Sequence, residues 1–341
     1  MKTLCRAPAK LILSGEHAVL YGCPALSLAI DLPTECDITF QPQSPMQITL
    51  NLTDYALTHH WSAEQWIARA LDIEARYLAF SQDQLPIEQV CLNPLDLVIL
   101  TLWHFHQLRP LQKGHWHISI QSQAWSGRGM GSSAAVITSL LKSLFFIHQI
   151  EHNAQLLSLA KTIESRQHGQ SSGLDPLTLI EGGLIYYRPG ESPQHLTPHY
   201  YQAWLIDTGA PLSRTGECVS HVRRHFQHQH ELWREFEQCT QRMYQAWITQ
   251  QSAQLKQAIA DNQQLLSQIG VVPHSVQDKL TQLNSQAKGV SKVCGAGSLV
   301  GEHAGVAIGL FEQDPSPFCQ QWQWRCQRIH AAPKGVECVV R

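Results

Sequence analysis

The feature that most constrains this chain is the run Ser126-Gly127-Arg128-Gly129-Met130-Gly131-Ser132-Ser133-Ala134-Ala135, with glycine at three alternate positions, opening directly into an apolar helical pattern over 132–150. Alternating glycines let a backbone fold back tightly with its N–H groups converging on one point, and the helix that follows adds its positive N-terminal end. The small serines and alanines keep that helix start open to a bulky anion. The segment reads as a phosphate cradle, with an ordinary glycine-rich turn before a helix as the alternative. It matches neither of two common nucleotide signatures. No lysine follows as in G-x-x-x-x-G-K-[ST], and G-x-G-x-G lacks the spacing of G-x-G-x-x-G.

Hydrophobic periodicity sets the surroundings of this loop. Strands are expected at 11–13, stopped by Ser14-Gly15, and at 25–30, 38–40, 47–52 and 115–121. Helices are expected at 62–77, with a serine cap, at 95–108 and at 153–167, the last leading into the Gly/Ser-rich turn 168–173. Beyond Gly182-Gly183 the texture changes. Strands at 184–187 and 203–206 precede a Gln- and His-rich block, 215–268, in which Leu232, Trp233, Phe236, Met243, Tyr244 and Trp247 recur at helical spacing. That spacing predicts a packed amphipathic hairpin rather than disorder. A glycine-rich segment, 289–301, and a strand at 305–311 follow. The 341 residues and this order predict an α+β chain of two domains, 1–190 and 191–341.

Composition excludes several partners. Lys and Arg number 25 against 27 Asp and Glu, a net charge of -2, and the pair Arg223-Arg224 sits among histidines ahead of Glu231, Glu235 and Glu237. No nucleic acid is expected. The 10 cysteines contain no C-x-x-C pair and the 19 histidines no H-E-x-x-H spacing, so free thiols and no dedicated metal cage are predicted. Met1 to Ser14 lacks the apolar core of a secretory signal, and the longest apolar stretch, 95–105, is about half of a bilayer span. A cytoplasmic protein that does not enter a membrane is the expectation.

Four segments together carry a resemblance. Ala7-Pro8-Ala9-Lys10 followed by Gly15-Glu16-His17-Ala18-Val19-Leu20-Tyr21-Gly22 resembles the first motif of the GHMP small-molecule kinases, most closely that of the mevalonate kinases. The loop 127–135 resembles their nucleotide-phosphate motif. Glu164-Ser165-Arg166-Gln167-His168-Gly169-Gln170-Ser171-Ser172-Gly173-Leu174-Asp175 aligns without gaps to the segment bearing their magnesium Glu and catalytic Asp, and Gly295-Ala296-Gly297 resembles their third motif. The resemblance implies a two-domain architecture, its N-terminal half like the second domain of ribosomal protein S5 and its C-terminal half ferredoxin-like. It also implies ATP-dependent, magnesium-dependent phosphorylation of mevalonate, with a homodimer left open as the assembly. Another GHMP kinase, such as one acting on 5-phosphomevalonate or a sugar, and an inactive ligand-binding descendant are the alternatives. His17, where phosphomevalonate kinases carry Tyr, points to the unphosphorylated acceptor.

The individual residues have plainer readings beside those roles. Glu164 alone reads as a solvated helix charge; by the resemblance it holds Mg2+ together with Ser133, a hard-oxygen set suited to that ion. Asp175 alone reads as an N-cap for a helix starting at Pro176; by the resemblance it accepts the substrate hydroxyl proton. Lys10, otherwise a surface charge, is implied to stand beside Asp175 as the second catalytic residue. Gly127, Arg128, Gly129, Met130, Gly131, Ser132, Ser133 and Ala134 are implied to bind ATP, and Glu16 and His17 the acceptor. Arg128, Arg166 and Lys10 are the basic side chains within the matched motifs, with Arg214, Lys288 and Lys292 further candidates to reach the pocket. Two departures stand out. Ser126 replaces a proline, and Ser298-Leu299-Val300-Gly301-Glu302-His303-Ala304 replaces a run of glycines, which predicts a less intimate backbone approach by the third motif.

Overall fold

The computed structural model describes residues 1–197 and 202–341. Among them the chain runs β1 (Lys2–Ser14), β2 (Ala25–Gln41), β3 (Gln47–Leu52), β4 (Leu57–Ser62), α1 (Ala63–Ser81), α2 (Pro94–Leu108), β5 (His115–Ser122), α3 (Ser132–Ile147), α4 (Asn153–His168) and α5 (Leu174–Glu181). It continues through β6 (Leu184–Tyr187), β7 (Gln194–Leu196), β8 (Ala203–Asp207), α6 (Thr215–Phe226), α7 (His230–Ile248), α8 (Ser252–Gln268) and α9 (His274–Gln286). The remaining elements are β9 (Gly289–Val293), β10 (Val306–Phe311), α10 (Ser316–Gln321), β11 (Arg325–Arg328) and β12 (Glu337–Val340). None of the described helices is long and apolar enough to cross a membrane.

Two sheets organise these elements. The first has the order β12-β1-β2-β5-β3-β4, with β6 also on β2 and β7 on β6; only β3 and β5 pair in parallel. The second, β11-β8-β10-β9, is antiparallel throughout. The segments 25–30 and 38–40, expected as two strands, form one. Its start pairs with β6 and its end with β5, and Pro33 falls between the two ladders, where a missing N–H removes no ladder bond. The last strand returns to pair with β1, placing Cys5 opposite Cys338, residues 333 apart in sequence.

The helices follow their caps and apolar faces. Ser62 caps α1 through a reciprocal pair of bonds with Gln65, and Asn93 caps α2 ahead of Pro94. α3 is buried along most of its length against the first sheet, α2 and α4, with Ile137, Leu140, Leu141 and Leu144 in the core. The Gln-rich block forms three helices rather than one hairpin, turning at 227–229 and at 249–251, where Gln250 adopts a positive φ of 56°. α7 and α8 do pair, and Phe236, Leu266 and Val276 pack beneath the second sheet.

Candidate active site

The loop before α3 is stitched to both sheets. The Lys10 N–H donates to the Met130 carbonyl at 3.0 Å from β1, and the Val306 N–H donates to the Arg128 carbonyl at 3.1 Å from β10. Gly131 caps α3 at φ 73°, and a Cβ there would lie 2.8 Å from Lys10 Cγ. A Cβ on Gly129 would lie 3.1 Å from the Cys294 carbonyl, and one on Gly295 would lie 3.1 Å from Gly129 Cα. The third motif therefore makes its close approach at Gly295. The non-glycine stretch beyond it does not interfere, because buried Ser298 bonds to Ser213 N and the Val300 carbonyl instead.

This loop faces a cavity of about 640 Å³ lined by residues from all four motifs. Lys10 projects from β1 with its side chain only 3% exposed, and its Nζ lies 2.9 Å from Asp175 Oδ2. It is no surface charge. Gly173 caps α5 and Asp175 sits in the first turn, so the N-cap reading of Asp175 is also set aside. Glu164, on α4, is buried; it accepts a hydrogen bond from Ser171 Oγ. Burial, and then the neighbouring Asp175 charge, push its carboxyl up to about 8. Ser133, in the first turn of α3, shares a 3.0 Å hydrogen bond with His168 Nε2. Burial brings His168 down to about 4, leaving a neutral imidazole. One buried carboxylate, Glu164, a second that is a quarter exposed, Asp175, one lysine and a hydroxyl at a helix start form a set that fits a divalent cation shared with phosphate oxygens.

On the opposite wall, Glu16 and His17 follow the tight turn at Gly15. His17 Nε2 donates to the Ala296 carbonyl at 3.2 Å, leaving Nδ1 as a buried lone pair without a partner. Burial, only partly offset by that bond, lowers its pKa to about 4. Glu16 Oε1 accepts from Lys292 Nζ, while Oε2 is buried without a partner. Arg128 is committed to Asp207 at 2.8 Å. Arg166 points away, onto Glu74 and the Tyr77 ring. The side chains of Met130 and Ala134 are buried in the core rather than on the cavity wall. Arg214 does line the cavity, and Lys292 stands immediately behind it. Of the further basic candidates, Lys288 does not line the cavity, and what the sequence leaves unseen is that Lys292 pairs with Glu16.

Residues 96–183 match the family of GHMP kinase N-terminal domains. Mevalonate kinase of Thermococcus onnurineus is 28% identical over 236 residues, covering 68% of this chain. The matched stretch spans 65% of that relative's length, just under two thirds. Mevalonate kinase of Bos taurus is 27% identical over 353 residues, covering 91% of this chain and 86% of the relative. The crystal structure of Methanococcus jannaschii mevalonate kinase superposes with a TM-score of 0.76 at 18% identity, covering 96% and 98% of the two chains. Lactococcus lactis galactokinase complexed with galactose gives a TM-score of 0.77 at 12% identity, covering 98% and 95%. These likenesses establish the α+β fold of the GHMP kinases.

Proposed function

Starting from a chain that carries the GHMP kinase N-terminal domain and the GHMP kinase fold, we propose that this protein transfers the γ-phosphoryl group of ATP to the 5-hydroxyl of mevalonate. The observation that carries the proposal is the Lys10–Asp175 pair, 2.9 Å apart, lining the same cavity as the glycine loop. Backbone amides of 127–133 and the α3 N-terminus receive the β- and γ-phosphates. Asp175 takes the proton of the acceptor hydroxyl, and Lys10 holds the carboxylate in place and offsets the charge on the transferring group. Ser133 and Glu164 would hold Mg2+, which when bound neutralises phosphate charge.

The acceptor wall narrows the substrate class. Glu16 Oε2 and His17 Nδ1 both accept hydrogen bonds and neither has a protein partner. A hydroxyl-bearing ligand satisfies them, whereas a phosphate dianion placed there would face acceptors only. This favours mevalonate over its 5-phosphate. The test is acceptor-dependent ADP release with mevalonate, 5-phosphomevalonate and galactose under Mg-ATP. A preference in kcat/KM for mevalonate of about 10²-fold or more is expected from a site built around a substrate hydroxyl. A preference for 5-phosphomevalonate or galactose would reassign the enzyme, and no turnover above the ATPase background would make it a binding protein.

A further inference from the structure

We propose that Lys292 is a positioning residue for the acceptor, acting through Glu16; this rests on the kinase reading above. The two side chains are 0% and 1% exposed, and the pair joins residues 276 apart in sequence. Lys292 Nζ donates to Glu16 Oε1 and to the Ile12 carbonyl at 3.3 Å, and Cys294 Sγ lies 3.9 Å away. These contacts hold the ammonium behind Ile12, Glu16 and Cys294, which line the cavity. Glu16 lines the cavity and Lys292 does not.

The asymmetry of Glu16 carries the inference. A carboxylate buried to this degree is costly unless paired, and an apolar pair of similar volume would serve packing equally well. Here one oxygen is tied to Lys292 and the other is left buried without a partner, as is Nδ1 of the adjacent residue His17. A group held by one oxygen and presenting the other is oriented for a ligand donor. Lys292 therefore fixes both the charge and the direction of the acceptor-binding oxygen without touching the acceptor. It differs in this from Lys10, which faces the reacting groups directly.

The experiment compares K292M, E16Q and the E16Q/K292M double variant with the wild type, using mevalonate as acceptor and equilibrium Mg-ATP binding as a second readout. K292M is expected to lower kcat/KM for the acceptor by about 10- to 100-fold, the range of one charge-assisted hydrogen bond, through acceptor KM more than through kcat. Mg-ATP affinity should stay within about twofold. Because Lys292 acts through Glu16, the double variant should be no worse than E16Q by more than about twofold. That comparison also serves if K292M alone fails to fold, since the double variant leaves no unpaired buried charge. Additive losses in the double variant, or a folded K292M with unchanged acceptor kinetics, would overturn the positioning role. A wild-type chain that turns over no acceptor overturns the kinase reading and this inference with it, whereas a wild type active on another acceptor reassigns the substrate and leaves the same four-way comparison in force.

Discussion

Gly131→Ala is the substitution whose effect the structure sets most closely. Gly131 holds φ 73° at the N-cap of α3, and an added Cβ would stand 2.8 Å from Lys10 Cγ and 3.0 Å from Lys10 Cε. The left-handed backbone costs an alanine about 1 kcal/mol. Ordinary carbon–carbon separation is about 3.5–4.0 Å, so the Lys10 stem must move by roughly 1 Å. Lys10 is nearly enclosed, so it cannot swing aside freely, and the motion is delivered to the Nζ that faces Asp175. A displacement of about 1 Å at a reacting group costs on the order of 10² in rate. Gly190→Ala supplies the control. Gly190 sits at φ +86° with nothing within 4 Å of its added Cβ, so it carries the same backbone penalty without touching Lys10. Gly190→Ala should lose about 1 kcal/mol in urea unfolding, and Gly131→Ala that amount plus the cost of displacing the packed Lys10 stem. Only Gly131→Ala should lose about 10²-fold in kcat for acceptor-dependent ADP release. Equal kcat in the two variants would refute the argument that this glycine is required by the Lys10–Asp175 geometry.

Three further outcomes are expected. Asp175→Asn should lower kcat by about 10²–10⁴-fold while leaving Mg-ATP binding largely intact; near-normal turnover removes Asp175 from the proton transfer. Ser133→Ala and Glu164→Gln should each raise the Mg2+ concentration needed for half-maximal Mg-ATP binding, read by calorimetry, with Ser132→Ala weaker in effect; equal behaviour of the two serine variants would reassign the ligand. For His17, the folded pKa near 4 lies below the unfolded 6.5. Its contribution to stability is therefore complete above pH 6.5 and declines as pH falls toward 4, with a slope of up to about 1.4 kcal/mol per pH unit. Glu164, held up to about 8, works in the opposite sense as pH rises, so the diagnostic quantity is the difference between wild type and His17→Asn. Urea midpoints that fall in parallel for both proteins between pH 6.5 and 4 would show that His17 is not buried neutral.

Legibility in the sequence followed the range of the interaction involved. α1 was readable because its Ser62–Gln65 cap is local, and α3 because a continuous apolar pattern follows the glycine loop. β2 was split because its partner changes near Pro33, a tertiary event with no trace in the alternation of its residues. The turn of the predicted hairpin, at 249–251, has no position legible in the sequence because glutamine rather than glycine takes the left-handed conformation there. At the site, the motif glycines stand out by residue type, whereas Asp175 read alone is an N-cap and enters the site only by the resemblance. Met130 and Ala134 belong to the motif that the resemblance implies, but the loop turns the Met130 side chain into the core and Ala134 lies on the buried face of α3. The Lys292–Glu16 contact joins residues 276 apart, the lysine from the second sheet and the glutamate from the turn after β1, and the Cys5–Cys338 juxtaposition depends on the pairing of the first and last strands. No local spacing encodes them.

The glycines explain why four segments so far apart in sequence can form one site. Gly129 and Gly295 come so close that a Cβ on either would be tightly packed against the other's loop, and a Cβ on Gly305 would lie 2.6 Å from the Arg128 carbonyl. Such backbone-to-backbone approach excludes side chains from the seam between the first-sheet loop and the second-sheet loop. It also lets main-chain bonds, Lys10 N to the Met130 carbonyl and Val306 N to the Arg128 carbonyl, clamp the phosphate loop from both sides. The Arg128–Asp207 pair at 2.8 Å adds a side-chain tie from the loop to β8. The loop's shape is therefore set jointly by the two sheets. Lys10 comes from one sheet and the Lys292 that braces Glu16 from the other, so donor loop, catalytic pair and acceptor wall share one backbone joint rather than three separate supports.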